Sequence, residues 1–118
     1  MSVIGQVVSI RIHPVKDEPG VELDTVTVAE AGLDGDRRKK APVHLVGHDR
    51  PETRANLVLD VPSADLEALV GARVTVGGVV LGIARTAGTC AGAYADVLTP
   101  GTISRGDVVT RGDVVTRE

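Results

Sequence analysis

Phenylalanine and tryptophan are absent from this chain of 118 residues, and Tyr94 is its only aromatic side chain. The core must therefore be filled by Val, Ile, Leu and Ala. A nucleic-acid surface built on stacked bases is excluded, and a net charge of −3 offers no phosphate-binding footprint either. Cys90 is the single cysteine, so no internal disulfide can form, which suits a reducing compartment. No apolar run approaches a membrane span, and the first residues lack the charged-then-apolar layout of a signal peptide. These absences predict a cytoplasmic domain that meets neither membrane nor nucleic acid.

What is present favours strands. Valine is abundant, and β-branched side chains fit a pleated, half-buried surface. The 14 glycines and 6 prolines supply turns for many short strands. Strands are predicted over 5–13, 23–29, 43–46, 56–61, 73–76 and 79–84, with a last one from Val108. In the first, Val7, Ser9 and Arg11 share one face and Val8, Ile10 and Ile12 the other. Gly77-Gly78 turns one hairpin. One helix is expected near 63–70, with Ser63 as N-cap, Asp65 in the first turn and Leu66, Leu69 and Val70 on its apolar face. Tyr94 to Leu98 reads as a helical turn. The chain ends on a duplication: Arg105-Gly-Asp-Val-Val-Thr110 is followed at once by the same six residues at 111–116. Two copies do not make a repeat architecture. The expected organisation is one mainly β domain over 1–110 and a dispensable tail over 111–118.

Chemistry concentrates at Thr86-Ala87-Gly88-Thr89-Cys90-Ala91-Gly92-Ala93-Tyr94. Small residues surround the thiol and leave room for a bulky group to approach the sulfur. An inert cysteine sits more often inside an apolar run, whereas this one follows a strand and opens a loop. Lys16, Arg37 and Arg54 also stand in loops beside strands, where the ordinary reading is a solvated cation. Arginine additionally suits planar anion recognition, because its donors form a rigid fork. Asn56 either caps a turn or reads a ligand's hydrogen-bonding edge. His44 and His48 lie four apart on a strand, roughly 13 Å, too far to share a metal, so a zinc site is rejected. There is no glycine-rich phosphate loop and no serine in a nucleophile elbow.

In order, His13-Pro14-Val15-Lys16, Gly32-Leu33-Asp34-Gly35-Asp36-Arg37, Val43-His44-Leu45-Val46, Arg54-Ala55-Asn56-Leu57, the segment from Leu69 to Gly77, Cys90, and the segment from Gly101 to Val108 resemble the MOSC domain, the C-terminal domain of molybdenum cofactor sulfurases. The resemblance spans nearly the whole chain and implies a β-barrel-like fold with few helices. It implies a pyranopterin molybdenum cofactor, with Cys90 as ligand to molybdenum and Lys16, Arg37, Arg54 and Asn56 binding the cofactor. A soft thiolate is a sensible ligand for a metal already held by dithiolene sulfurs. One implied activity is reduction of N-hydroxylated compounds. The alternatives are a sulfur carrier bearing a Cys90 persulfide, loaded by a cysteine desulfurase, and a non-enzymatic interaction domain. A redox partner protein and a small-molecule substrate are the other expected partners. No aminotransferase-like domain is present, so a pyridoxal phosphate site is not expected. Seven residues bridge Val46 and Arg54, where the family commonly carries a longer insertion.

Overall fold

The structure is a computed structural model that describes residues 2–15, 20–36, 41–50, 55–88 and 91–112. Its strands follow the β-branched segments. First come β1 (Ser2–Ile12), β2 (Val21–Leu23), β3 (Thr25–Ala29), β4 (Gly32–Leu33), β5 (Val43–Gly47) and β6 (Leu57–Leu59). A helix, α1 (Ser63–Glu67), precedes β7 (Arg73–Val76), β8 (Val79–Thr86), β9 (Ala93–Thr99), β10 (Gly101–Ser104) and β11 (Val108–Arg111). Seven strands close into a barrel in the order β1-β6-β5-β9-β8-β7-β11, with β11 returning to β1. Closure leaves those strands no open edge for pairing with another chain. Within the barrel β5 and β6 run parallel and the other neighbours antiparallel. β2 extends the sheet beyond β1, and β10-β3-β4 form a separate three-stranded sheet. The fold is thus mainly β with one short helix, as the composition and turn pattern predict.

The barrel is filled by aliphatic side chains alone. Ile10, Leu45, Leu57, Leu59, Leu81 and Ile103 are fully buried among valines, and Leu66 of α1 joins them. β3 shows the expected alternation, with Val26 and Val28 inward and Thr25 and Thr27 exposed. The Gly77-Gly78 hairpin also forms. Gly77 has a left-handed φ of +56°, and any Cβ there would strike the Asp107 carboxylate and the Thr102 carbonyl. Among the described residues no helix is long and apolar enough to cross a membrane.

Three details depart from the sequence pattern. In β1 the register shifts between Val7 and Ser9 opposite β6, a bulge that turns Val7 and Ile10 into the same core and leaves Val8 exposed. Strict alternation would have put Val7 and Ile10 on opposite faces. Residues 94–98 belong to strand β9, not to a helical turn: Ala93 and Ala95 are fully buried between β8 and β5, while Tyr94 and Asp96 point away from the core. Pairing on both sides overrides the helix propensity of alanine. The helix stops at Glu67, and Val70 is 44% exposed rather than on its apolar face.

The helix start differs too. Pro62 occupies the N-cap position without a side-chain cap, and Ser63 is the first helical residue. The capping role passes to Asp49, whose Oδ1 accepts hydrogen bonds from the Ser63 N–H and the Ser63 hydroxyl, both 2.9 Å. The Ser63 Oγ in turn accepts from the Gly47 N–H at 2.9 Å, fixing α1 to the end of β5. The Ser63 backbone N–H, and after it the hydroxyl, hold the Asp49 carboxyl below its ordinary value.

Candidate functional site

Cys90, Lys16, Arg37 and Arg54 lie outside the described residues, as does the expected pocket mouth around Cys90. Asn56 is described, and so are the residues next to each of the other four. One chain of hydrogen bonds passes within three residues of each of those four.

The chain begins where β8 passes into β9. The loop between them is closed by hydrogen bonds from the Ala87 N–H to the Gly92 carbonyl, 3.0 Å, and from the Ala91 N–H to the Gly88 carbonyl, 3.1 Å. Gly88, Ala91 and Gly92 have φ of +62°, +63° and +76°. Left-handed backbone costs an alanine about 1 kcal/mol, so Ala91 keeps it only because its surroundings insist. Two contacts supply that insistence. The Gly92 N–H donates to Glu67 Oε2 of α1 at 3.0 Å. The Ala91 carbonyl lies 2.9 Å from His44 Nε2. A carbonyl oxygen can only accept, so the His44 ring carries a proton on Nε2. Gly92 is also sterically obligatory, since a Cβ there would collide with the Leu45 carbonyl.

From His44 the chain continues inward. The His44 N–H donates to Asn56 Oδ1 at 2.9 Å. Asn56 Nδ2 donates to the Arg11 carbonyl, 3.2 Å, and to Asp36 Oδ2, 2.9 Å. Asp36 Oδ1 accepts from the His13 N–H at 2.6 Å. Asn56 is 1% exposed, and its three partners, one donor and two acceptors, fix which end of the amide is oxygen. Its amide thus bonds protein groups, holding Asp36, the Arg11 carbonyl and His44 in fixed relation.

Two further residues, Arg85 and Tyr94, extend the site along the outside of the barrel from His44. Arg85 and Tyr94 are register partners across β8 and β9, and Tyr94 and His44 are partners across β9 and β5. The Arg85 guanidinium carbon sits 4.6 Å from the Tyr94 ring centroid, and the Tyr94 and His44 centroids are 4.9 Å apart with planes at 56°. Sequence reasoning singled out Asp36 and Asn56 but not His13, Glu67 or Arg85, and weighed His44 only as a metal ligand. His13, Asp36, Asn56 and Ala91 stand within three residues of Lys16, Arg37, Arg54 and Cys90, whereas Glu67 and Arg85 carry no such signal.

Two shallow concavities on the described surface lie away from this chain. One of about 310 Å³ is lined by Ala72, Arg73, Gly82, Ile83, Asp96 and Leu98. The other, about 480 Å³, lies between Ile12, Leu23, Val26, Asp34, Gly35 and Thr102. Both are open and mostly apolar, and neither gathers convergent polar groups, so the hydrogen-bond chain marks the candidate site better than either. Among the described residues no three His, Cys, Asp or Glu side chains cluster as a metal site would require.

No family model matches the sequence, and no curated protein is similar to it by sequence. Solved structures are similar in fold. The YuaD protein of Bacillus subtilis superposes with a TM-score of 0.73 at 16% identity, over 89% of this chain and 93% of its own. YiiM of Escherichia coli gives 0.68 at 12% identity, over 95% of this chain and 72% of YiiM. A crystal structure described only as a hypothetical protein gives 0.74 at 12% identity, over 98% of this chain and 70% of that one. YuaD and YiiM are MOSC-domain proteins, so the resemblance read from the sequence motifs is supported at the level of fold.

Proposed function

We propose that this domain binds a pyranopterin molybdenum cofactor, with Cys90 as a ligand to the metal and Lys16, Arg37 and Arg54 holding the anionic end of the pterin. The observation that carries the reading is the hydrogen-bond chain from His13 through Asp36, Asn56 and His44 to Ala91. It passes within three residues of each of those four, although its ends, His13 and Ala91, are 78 positions apart. Nothing in a bare valine barrel requires such a chain. Building a buried polar network is worthwhile where several loops must be held in fixed relation.

The residues present fit the group. A thiolate is a soft ligand suited to molybdenum, and three cations suit a phosphate-bearing pterin. The bound cofactor would supply two-electron redox chemistry. The protein's share is positional. Glu67 and His44 hold the loop end that follows Cys90, Asn56 locks β5 to β1 and Asp36, and the cations would grip the anion. With N-hydroxylated compounds as substrates, the domain would act as a reductase.

A second reading is favoured by the same loop. Small residues around Cys90 and a loop closed by backbone bonds and pinned at Gly92 suit a sulfur carrier. There the Cys90 thiolate attacks the outer sulfur of a cysteine desulfurase persulfide, taking that sulfur as its own persulfide while the desulfurase thiolate leaves. One experiment separates the two. The protein is expressed in a host that makes the cofactor, and molybdenum, pterin and cyanide-releasable sulfur are measured for wild type and Cys90→Ser. Cofactor binding predicts stoichiometric molybdenum in wild type, with pterin partly retained and reductase activity lost in Cys90→Ser. Sulfur carriage predicts Cys90-dependent labile sulfur without pterin. Neither signal in wild type would leave an interaction domain.

A further inference from the structure

We propose that the outer face of β7, β8 and β9 is a contact surface for a second copy of this chain, related to the first by a two-fold axis at Gly82. These strands lie inside the closed barrel sheet and have no open edge, so another chain can meet them only face to face. Gly82 stands at the middle of one rung of that face. Its register partner on β7 is Arg73, and its partner on β9 is Asp96. Both charged residues are exposed, and neither is in an ion pair with a described residue. At the usual strand spacing their backbones stand about 10 Å apart, with the glycine halfway between.

Such a rung is complementary to itself. A two-fold axis perpendicular to the sheet at Gly82 exchanges its two ends, so Arg73 of one copy lies over Asp96 of the other, and Asp96 over Arg73. A copy set down without that rotation would face Arg73 with Arg73, and like charges exclude it. The centre of the face is shaped for contact as well. A concavity of about 310 Å³ covers the rung, lined by Ala72, Gly82, Ile83 and Leu98 beside the two charges. Leu98 leans over the glycine, where an added Cβ would stand 3.2 Å from its Cδ1, yet it remains 49% exposed. An apolar side chain left in water between flanking charges matches the layout of a small protein interface, apolar in the middle and polar around it. Three strands make a small face, so the contact is a weak one, with a dissociation constant in the range of roughly 10–500 µM.

Sedimentation of the full chain over a range of concentrations tests this, with melting temperatures to check that each variant is folded. Wild type should form a reversible dimer below about 1 mM, and more weakly in roughly 1 M salt. Arg73→Asp and Asp96→Arg each set like charges together at both ends of the rung, and each should weaken association about tenfold or more. Mixed in equal amounts, the two variants should associate again, because the acidic rung of one then faces the basic rung of the other. Each substitution moves the net charge of −3 by two, to −5 and −1, so the two chains repel overall and only the pattern on the face can join them. The double variant, whose net charge is again −3, should dimerise like wild type. Leu98→Gln, which leaves the rung intact, should also weaken the dimer about tenfold through lost apolar contact. Wild type that stays monomeric at about 1 mM overturns the proposal. Self-association that neither charge reversal weakens assigns it to another face and overturns it too. A mixture of the two folded variants that associates no better than each alone overturns the two-fold arrangement at Gly82.

Discussion

Leu57 and Asn56 are neighbours in sequence, and each is at most 1% exposed, yet they belong to different structures. Leu57 points into the barrel, where every neighbour is aliphatic and the stabilisation comes from area removed from water. Asn56 points out of the barrel into a chain of polar groups that all need partners. The first environment is tolerant, because apolar contacts have no direction. The second is exacting, because each donor in it has one acceptor. Stability and the geometry of the candidate site are thus held by adjacent residues through separate means.

Substituting each residue sharpens that contrast and should give the largest effects. Leu57→Ala should cost about 2–5 kcal/mol through lost burial and a cavity. Asn56→Ala removes three hydrogen bonds, one of them to a carboxylate, and strands the His44 N–H; it should cost about 2–4 kcal/mol. Denaturant melts will show the two as similar. Alkylation of Cys90 in the fraction that remains folded will not. Leu57→Ala should leave that rate within about twofold of wild type, whereas Asn56→Ala, which unlocks His44 and with it Ala91, should change it about fivefold or more. Equal rates in both variants would show that the polar chain does not govern the loop.

The helix start offers a smaller effect with a pH signature. Hydrogen bonds from Ser63 lower the Asp49 pKa in the folded protein relative to its ordinary 3.8. A carboxyl with a depressed folded pKa contributes stability that is fully present above the unfolded value and is lost as pH falls through the folded one. Asp49→Asn should therefore melt below wild type at pH 7. The gap should narrow as pH is taken below 3.8, because wild type then loses the charge as well. Thermal melts of both proteins between pH 7 and pH 2.5 check this. A gap that stays constant would mean that the charge plays no part and the amide caps equally well.

How much of this was legible beforehand differs between the two environments. The barrel interior repeats itself, so β3, the β7–β8 hairpin and the mainly β class could be read from valine alternation and glycine turns. Where the repeat is broken it misleads: the bulge at Val7–Ser9 and the alanines of β9 obey pairing partners distant in sequence, which no local pattern reveals. The polar chain joins positions 13, 36, 44, 56 and 91, and such spacings have no period to detect. Its members came into view only through the family resemblance and through the oddity of a lone cysteine among small residues. Arg85 and Tyr94 meet only because β8 and β9 pair in one register, with a shift between Ile83 and Arg85 that spacing does not announce.

The duplicated ending gives the smallest expected effect. Most of the described closure of the barrel belongs to the first copy. The Gly106 N–H donates to the Val7 carbonyl at 2.8 Å, the Val7 N–H returns to the Asp107 carbonyl at 2.9 Å, and Val109 is 1% exposed. β11 runs through Arg111, which pairs with Ser2 and Val74, and the Gly112 N–H still reaches the Arg73 carbonyl at 2.9 Å. The ladder thus enters the second copy by two residues, and a cut that leaves closure intact falls after Gly112 rather than at 110. Deleting 113–118 should shift the melting temperature by less than about 2 °C, under roughly 0.5 kcal/mol for a domain of this size. Because the copies are identical, the experiment needs a second arm. Val109→Asp buries a charge in the seam and should lower the melting temperature strongly in the truncated chain. If the first copy alone closes the barrel, the same substitution should be equally damaging in the full chain. A milder effect there would show that the second copy can slip by six residues and serve as the closing strand, since a loop longer by that amount costs only about 1 kcal/mol.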